Sequence, residues 1–294
     1  MSNDKDTYPL GQIPTAQFSR GWRRQLKSTL GSIALTLRPE RARQLAKGEN
    51  ALSLSLVDRM MVTALVARHE RAGTLGELNG LHRSYWSDDG AVTYHTWAER
   101  FFQTWWLERA DSILPPMTKA ISESGIKVAA LCEIGCGSGL VIDDLSRRFP
   151  EVPRFVGLDL SAAQMERNRG RFTKKRLSFE AGDVTTWVPE HAGPGWLYFT
   201  NNGVLEYLSE TQLDTLFGDI ARRFGPALFT LTEPLPKDYD LERETRSRPY
   251  NFEKSLGHNY VHWLKKNGWR LHFVQDKVWN GDRFLTVVAS VGAA

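Results

Sequence analysis

Two regimes of apolar patterning divide this chain. From residue 123 onward, short apolar runs alternate with stretches of helical period. Residues 130–134, 155–158, 177–181, 196–200 and 227–232 read as buried strands, and residues 140–149, 161–171 and 209–223 as helices between them. Ser161 before Gln164, and Ser209 before Gln212, have the spacing of boxes that cap a helix start. A helix over 260–267 stops at Gly268, and two further apolar runs, 269–276 and 283–291, flank Trp279-Asn280-Gly281-Asp282. Asn-Gly between β-rich runs predicts a hairpin. The expected architecture is an α/β fold whose parallel sheet ends in an antiparallel hairpin.

The first 122 residues read differently. Trp22, Leu26, Leu30, Ile33 and Leu37 recur at helical spacing among Arg and Lys, predicting an amphipathic helix over residues 18–46. A second helix is expected over 52–70, with Leu56, Met60 and the run 62–66 as its apolar face; Gly73, Gly76 and Gly80 loosen the chain after it. A polar-aromatic turn, residues 82–90, then leads into a helix carrying Tyr94, Trp97, Phe101, Phe102, Trp105 and Trp106. The stripe 97, 101, 105 is expected to be core covering the sheet, with a substrate platform as the alternative.

Chemistry enters at Ala130-Leu131-Cys132-Glu133-Ile134-Gly135-Cys136-Gly137-Ser138-Gly139, where a strand runs into three alternating glycines and then a helix. Such a loop lets the backbone turn tightly against a ligand that meets the helix N-terminus. A dinucleotide fingerprint starting at Gly135 needs glycine at position 140, which is Leu140. The spacing is GxGxG, and Glu133 stands two residues ahead of it. This resembles motif I of the class I S-adenosylmethionine-dependent methyltransferases. Asp159 follows twenty residues past Gly139, where a ribose-binding acid belongs. Gly182-Asp183-Val184 looks like the family's adenine-binding corner, and Asn201-Asn202-Gly203-Val204-Leu205-Glu206-Tyr207-Leu208 resembles its segment after the fourth strand, with Tyr207 where that pattern often has His.

The resemblance implies a Rossmann-like seven-stranded sheet with an antiparallel last strand, preceded by an N-terminal helical extension. It implies S-adenosylmethionine as cofactor, held by Glu133, Gly135, Cys136, Gly137, Gly139, Asp159, Leu160, Asp183, Val184 and Asn201. In many such enzymes the segment before motif I folds over the cofactor. Tyr85 and Trp86, with Tyr94 and His95, are therefore expected in a lid. The implied organisation is a basic extension over 1–50, a helical cap over 51–122, and the methyltransferase domain over 123–294 with a lid insertion at about 237–256.

Composition narrows the partners. The first fifty residues hold nine Lys or Arg against four acids, so residues 51–294, with twenty-nine bases and thirty acids, carry no basic excess to grip nucleic acid. The basic helix is expected either to lie on an anionic membrane surface, giving a peripheral contact at the inner membrane, or to pack its apolar face on the protein. The polar, acidic start is unlike a signal peptide, so a cytoplasmic protein is expected. The two cysteines, Cys132 and Cys136, suit neither a disulfide framework nor a zinc site. His258 and His262 find no third ligand, and no metal is expected.

Methyl transfer from a sulfonium asks mainly for alignment, with a base when the acceptor is a hydroxyl. His258 is the first choice for that base, then Glu233 and Tyr207. In the insertion, Arg243, Arg246 and Arg248 with Tyr250 read as a solvated segment or as a lid that meets anions. The segment Asn201-Asn202-Gly203 is not the motif that methylates base amino groups. The chain thus reads as a metal-independent methyltransferase of a small-molecule acceptor, by O-methylation of a sugar, glycan intermediate or secondary metabolite. The rivals are an RNA or protein methyltransferase using the basic arm, and a non-catalytic S-adenosylmethionine-binding regulator.

Overall fold

The computed structural model describes residues 22–47, 54–87, 89–250 and 255–292. Expectations for residues 1–21, 48–53, 88 and 251–254 lie outside these. Seven strands form one sheet: β1 (Ala130–Ile134), β2 (Phe155–Asp159), β3 (Leu177–Ala181), β4 (Trp196–Asn201), β5 (Ala227–Leu235), β8 (Arg270–Trp279) and β9 (Asp282–Val291). Their order is β3-β2-β1-β4-β5-β9-β8, with β9 antiparallel to β5 and β8. The expected hairpin is present, with Asn280 at φ 51° and Gly281 at φ 88°, the left-handed pair that a two-residue turn requires.

Strands β1, β2, β4 and β5 are buried on both faces because helices cover each side, and strict alternation sorts their residues; the edge strand β8 is largely exposed or half-buried. Leu131, Leu197, Phe199, Leu228 and Val288 point toward the helices α6 (Glu108–Ser124), α7 (Leu140–Arg148) and α8 (Ala162–Arg171). Cys132, Tyr198, Phe229 and Val287 point to the opposite layer, built from α9 (Val184–His191), α10 (Glu210–Asp219) and α11 (Tyr260–Lys266). Trp106 anchors the first layer: it is fully buried, edge-on to Phe199 at 5.6 Å, and its indole N–H donates to Asp144 at 2.8 Å. A side chain of this size contributes about 2–3 kcal/mol by burial.

The capping expectations hold at α10, where Ser209 and Gln212 bond reciprocally. At α8 Ser161 accepts the Gln164 N–H at 3.2 Å, but the Gln164 side chain turns to Asn168 instead.

The single helix expected over 18–46 is two. α1 (Trp22–Leu37) ends at Arg38, and α2 (Pro39–Ala46) begins at Pro39, whose ring excludes the helical conformation for the residue before it. A third helix, α3 (Leu56–Ala72), opens with a Ser55–Asp58 capping box, and Asp58 also takes a forked pair from Arg41 at 3.0 and 3.1 Å. α1 crosses α3 closely at Gly31, where a Cβ would come within 1.9 Å of the Met60 carbonyl oxygen. The face that α1 turns away from α3 is the apolar one: Trp22, Leu26, Leu30, Ile33 and Leu37 are 44–75 % exposed. Among the described residues, the stripe is therefore largely exposed.

The aromatic stripe also differs from expectation. After α4 (Asn79–Trp86) and α5 (Asp89–Ala98), the chain passes through a 3-10 turn and a π turn before α6. These turns shift the helical phase, so Trp97 tilts against Phe101 at 4.7 Å, Phe101 stacks on Trp105 at 4.8 Å, and all three stay half-buried. Trp106, one residue on, takes the core position.

Candidate active site

The site forms at the C-terminal ends of β1, β2 and β4, where an open α/β sheet binds ligands. After β1 the chain turns through Gly135, Gly137 and Gly139 at φ 71°, 48° and 76°. Asp159, at the end of β2, braces this turn. Its carboxylate accepts the Gly137 N–H and the Ser161 N–H, each at 3.0 Å, while Asn168 donates to the Gly137 carbonyl oxygen at 2.8 Å. Asp183 caps α9 by accepting the Thr185 N–H at 2.7 Å, and its other oxygen pairs with Arg83 of α4.

A second turn follows β4. Asn202 and Gly203 adopt φ 68° and 91°, bending the chain so that residues 203–208 face the glycine loop. Glu233 on β5 fixes this bend from behind by accepting the Val204 and Leu205 N–H groups at 2.9 and 3.1 Å.

Between the two turns lies a cavity of about 670 Å³, within the range for small ligands. One end is walled by Glu133, Gly135, Cys136, Gly137, Asp159, Leu160, Asp183 and Val184. The other is walled by Asn201 to Leu208, residues 234–238, Tyr250, Arg109 and the tip of the β8–β9 hairpin. Trp86, Tyr94 and His95 roof the first end. His95 lies directly on the glycine loop, its Nε2 3.9 Å from Asp159; burial pulls its pKa down, with Asp159 opposing. Trp86 meets Tyr94, His95 and Tyr207 at ring distances of 5.1–5.9 Å. Glu133 is buried, one of its oxygens has no partner among the described residues, and burial raises its pKa well above the usual carboxylate value.

Several expected residues sit elsewhere. Tyr85 is fully buried behind Trp86, outside the cavity wall. Gly139 faces Phe172 and Phe179 rather than the cavity, because its turn delivers the chain into α7. His258, the first choice of base, is also away from the wall. Its Nδ1 meets the Ser247 hydroxyl at 2.6 Å, and burial drives its pKa down to about 4 against the Leu205 and Leu208 backbone. Glu233 is buried under the second turn, also outside the wall. Tyr207 is in the wall, its ring held by His82 and Trp86. Arg243, Arg246 and Arg248 do not reach the cavity: Arg248 pairs with Asp238 at 2.9 Å, Arg246 with Glu210 at 3.3 Å, and Arg243 is 87 % exposed.

The insertion contributes Tyr250 instead. It carries two short strands, β6 (Arg248–Tyr250) and β7 (Ser255–Gly257), that pair with each other. Tyr250 and Ser255 both donate to one oxygen of Glu206, the latter at 2.7 Å. Burial raises the Glu206 pKa, and these two hydrogen bonds oppose it. Arg83 and Arg109 went unnoticed in the sequence. Arg109 falls beside the buried positions 110, 113, 114 and 117 of α6, and a lone arginine on such a face is a readable signal of a buried guanidinium.

Residues 131–227 match the family described as methyltransferase domain. The matched segment is a methyltransferase domain. A curated relative, trans-aconitate 2-methyltransferase of Variovorax paradoxus, is 31% identical over 97 residues, which make up 32% of this chain and 36% of the relative. The chain thus aligns with about a third of that protein's length. Among solved structures, an S-adenosylmethionine-dependent methyltransferase from Clostridium acetobutylicum is 13% identical with a TM-score of 0.48, over 68% of this chain and 99% of that one. A TehB-like methyltransferase from Corynebacterium glutamicum is 14% identical with a TM-score of 0.42, over 64% and 96%. The methyltransferase domain holds the glycine loop, Asp159, Asp183 and Glu206, while Trp86, His95, Arg109 and Tyr250 reach the cavity from outside the matched segment.

Proposed function

We propose that the protein is an S-adenosylmethionine-dependent methyltransferase that methylates an oxygen of a small-molecule acceptor. The observation that carries this reading is one cavity joining the glycine loop and its acids to a second wall of side chains from the β4 turn, the insertion and the final hairpin. The first end suits the cofactor. Glu133 offers a buried, open carboxylate oxygen to an ammonium group, whose positive charge offsets the cost of its burial. Asp159 retains lone pairs for ribose hydroxyls, and Asp183 with the Val184 amide stands where an adenine edge belongs.

When bound, S-adenosylmethionine would supply a methyl carbon activated by its sulfonium for transfer to the acceptor oxygen. The chain's own residues orient the acceptor and exclude water. Trp86, Tyr94 and His95 close one side, and the aromatic faces favour a cation beneath them. Where the acceptor is a hydroxyl, Glu206 takes the place first given to His258 as the group that receives its proton. It lines the cavity, and a carboxylate whose pKa is raised by burial is a better base at neutral pH. The name of the curated relative supports an organic acid among the acceptors. Sugar or secondary-metabolite hydroxyls remain within the same reading.

Calorimetry with S-adenosylmethionine tests it. Asp159→Ala removes both the ribose acceptor and the brace on Gly137, and is expected to weaken binding by about 2–4 kcal/mol. Unchanged affinity removes Asp159 from the site, and a wild-type chain that does not bind S-adenosylmethionine refutes the reading altogether.

A peripheral membrane contact is favoured by the outward apolar face of α1, flanked by Lys27 and Arg38. No helix among the described residues is long and apolar enough to cross a membrane. The expected result is flotation of the full chain with vesicles containing anionic lipid, weakened by salt and lost in Leu26→Glu/Ile33→Glu. Equal flotation of the charged variant excludes this face.

A further inference from the structure

The acceptor end of the cavity contains a positive charge that the protein itself leaves only partly answered. Arg109 lies on the first turn of α6 and is 3% exposed. Its guanidinium packs over the ring of Phe284 at 4.1 Å and that of Trp279 at 5.2 Å, both from the β8–β9 hairpin. Nη1 donates to the Asn202 side-chain oxygen at 3.0 Å, which ties it to the β4 turn. Nε is buried without a hydrogen-bond partner, and no described carboxylate forms an ion pair with the group. The acid that acts on it through space, Asp282, is exposed. Burial lowers the Arg109 pKa only to about 10, so the side chain is cationic at neutral pH.

A guanidinium removed from water is stable only where its charge and donors are met. Ring faces and one amide oxygen meet part of that demand, and the rest is left open toward a cavity. The planar fork suits a carboxylate, which accepts two parallel hydrogen bonds. We propose that the acceptor bears a carboxylate group and that Arg109 receives it, with Asn202 orienting the fork and Phe284 and Trp279 excluding water around the pair. The assignment rests on the methyltransferase reading for the word acceptor, but the carboxylate site itself does not. Arg109 touches the hairpin and the β4 turn, elements of the acceptor wall, rather than the glycine loop.

The test is calorimetric titration of the full chain, alone and saturated with S-adenosylhomocysteine, with benzoate, succinate and trans-aconitate at millimolar concentration. The neutral amides benzamide and succinamide serve as matched controls. At least one carboxylate is expected to bind, and a matched amide to bind about tenfold more weakly or worse. Arg109→Gln is expected to erase that preference while keeping S-adenosylhomocysteine affinity within about twofold, and Arg109→Lys to retain part of it. Thermal unfolding reports whether each variant is folded, and Arg109→Lys carries the test if Arg109→Gln is not. The proposal is overturned if no carboxylate binds, or if Arg109→Gln binds carboxylates as the wild type does. It is equally overturned if the loss falls on S-adenosylhomocysteine, which moves Arg109 to the cofactor's own carboxylate. Failure of the wild type to bind S-adenosylhomocysteine sinks the methyltransferase reading instead, and the titration of the unloaded chain still decides the carboxylate site.

Discussion

Gly137→Val is expected to weaken S-adenosylmethionine binding at least about a hundredfold while leaving the sheet folded. The residue sits at φ 48°, a conformation in which a β-branched side chain is strained by about 1–2 kcal/mol. Its first side-chain carbon would stand 2.6 Å from Nδ1 of His95, so the roof of the cavity has to move as well. The Gly137 N–H and carbonyl oxygen are the two atoms by which Asp159 and Asn168 hold the loop, so a displaced backbone also releases the acid proposed to meet the ribose. Calorimetry beside far-ultraviolet circular dichroism separates loss of binding from loss of fold. Gly137→Ala is expected to fall between wild type and valine, because it meets the same imidazole with a smaller group. Wild-type affinity in the valine variant shows that the loop does not touch the cofactor.

The parts of this site that are legible in the sequence are those fixed by local backbone demands. Three alternating glycines, an acid two residues before them and an acid twenty residues after them mark a loop, its floor and its brace, and the structure brings Glu133, Gly137 and Asp159 to one end of the cavity. The succession of strands and helices was readable because short apolar runs alternate with helical periods, and because Asn280-Gly281 announces the hairpin. Residues whose roles depend on the packing of distant segments were harder to read. His258 was the first choice because related enzymes often place a substrate-facing loop before the penultimate helix, yet here that stretch folds under the β4 turn and buries it. Glu233 is drawn away from chemistry by two amides it must satisfy. Trp97, Phe101 and Trp105 were expected in the core on an assumed unbroken helix, and the π turn before α6 rotated them out. The stripe on α1 shows the converse case, in which an apolar period is real but its residues stay 44–75 % exposed among the described residues.

Glu233→Gln is expected to stabilise the protein under alkaline conditions and to be nearly neutral under acidic ones. Burial pushes the Glu233 pKa up to about 8 from 4.5, with Glu206 adding to the rise and the Val204 and Leu205 amides opposing it. A carboxyl group raised in this way favours the folded state fully below its unfolded pKa, and that contribution is lost as pH climbs from 4.5 through about 8. Glutamine keeps a carbonyl oxygen for the two amides and never ionises. Relative to wild type the variant is therefore expected to gain roughly 3–5 kcal/mol by about pH 9. His258 acts with the opposite sign. Its pKa falls from 6.5 to about 4, so its contribution is present above 6.5 and lost as pH drops through about 4, and His258→Gln is expected to flatten only that acidic limb. Urea unfolding of wild type and both variants across this range measures each limb separately. A constant difference between wild type and Glu233→Gln at every pH means that Glu233 titrates as an ordinary carboxylate and that the β4 turn is held by an anion. Wild type that gains on the glutamine variant as pH rises means that the charged form is the one the two amides require.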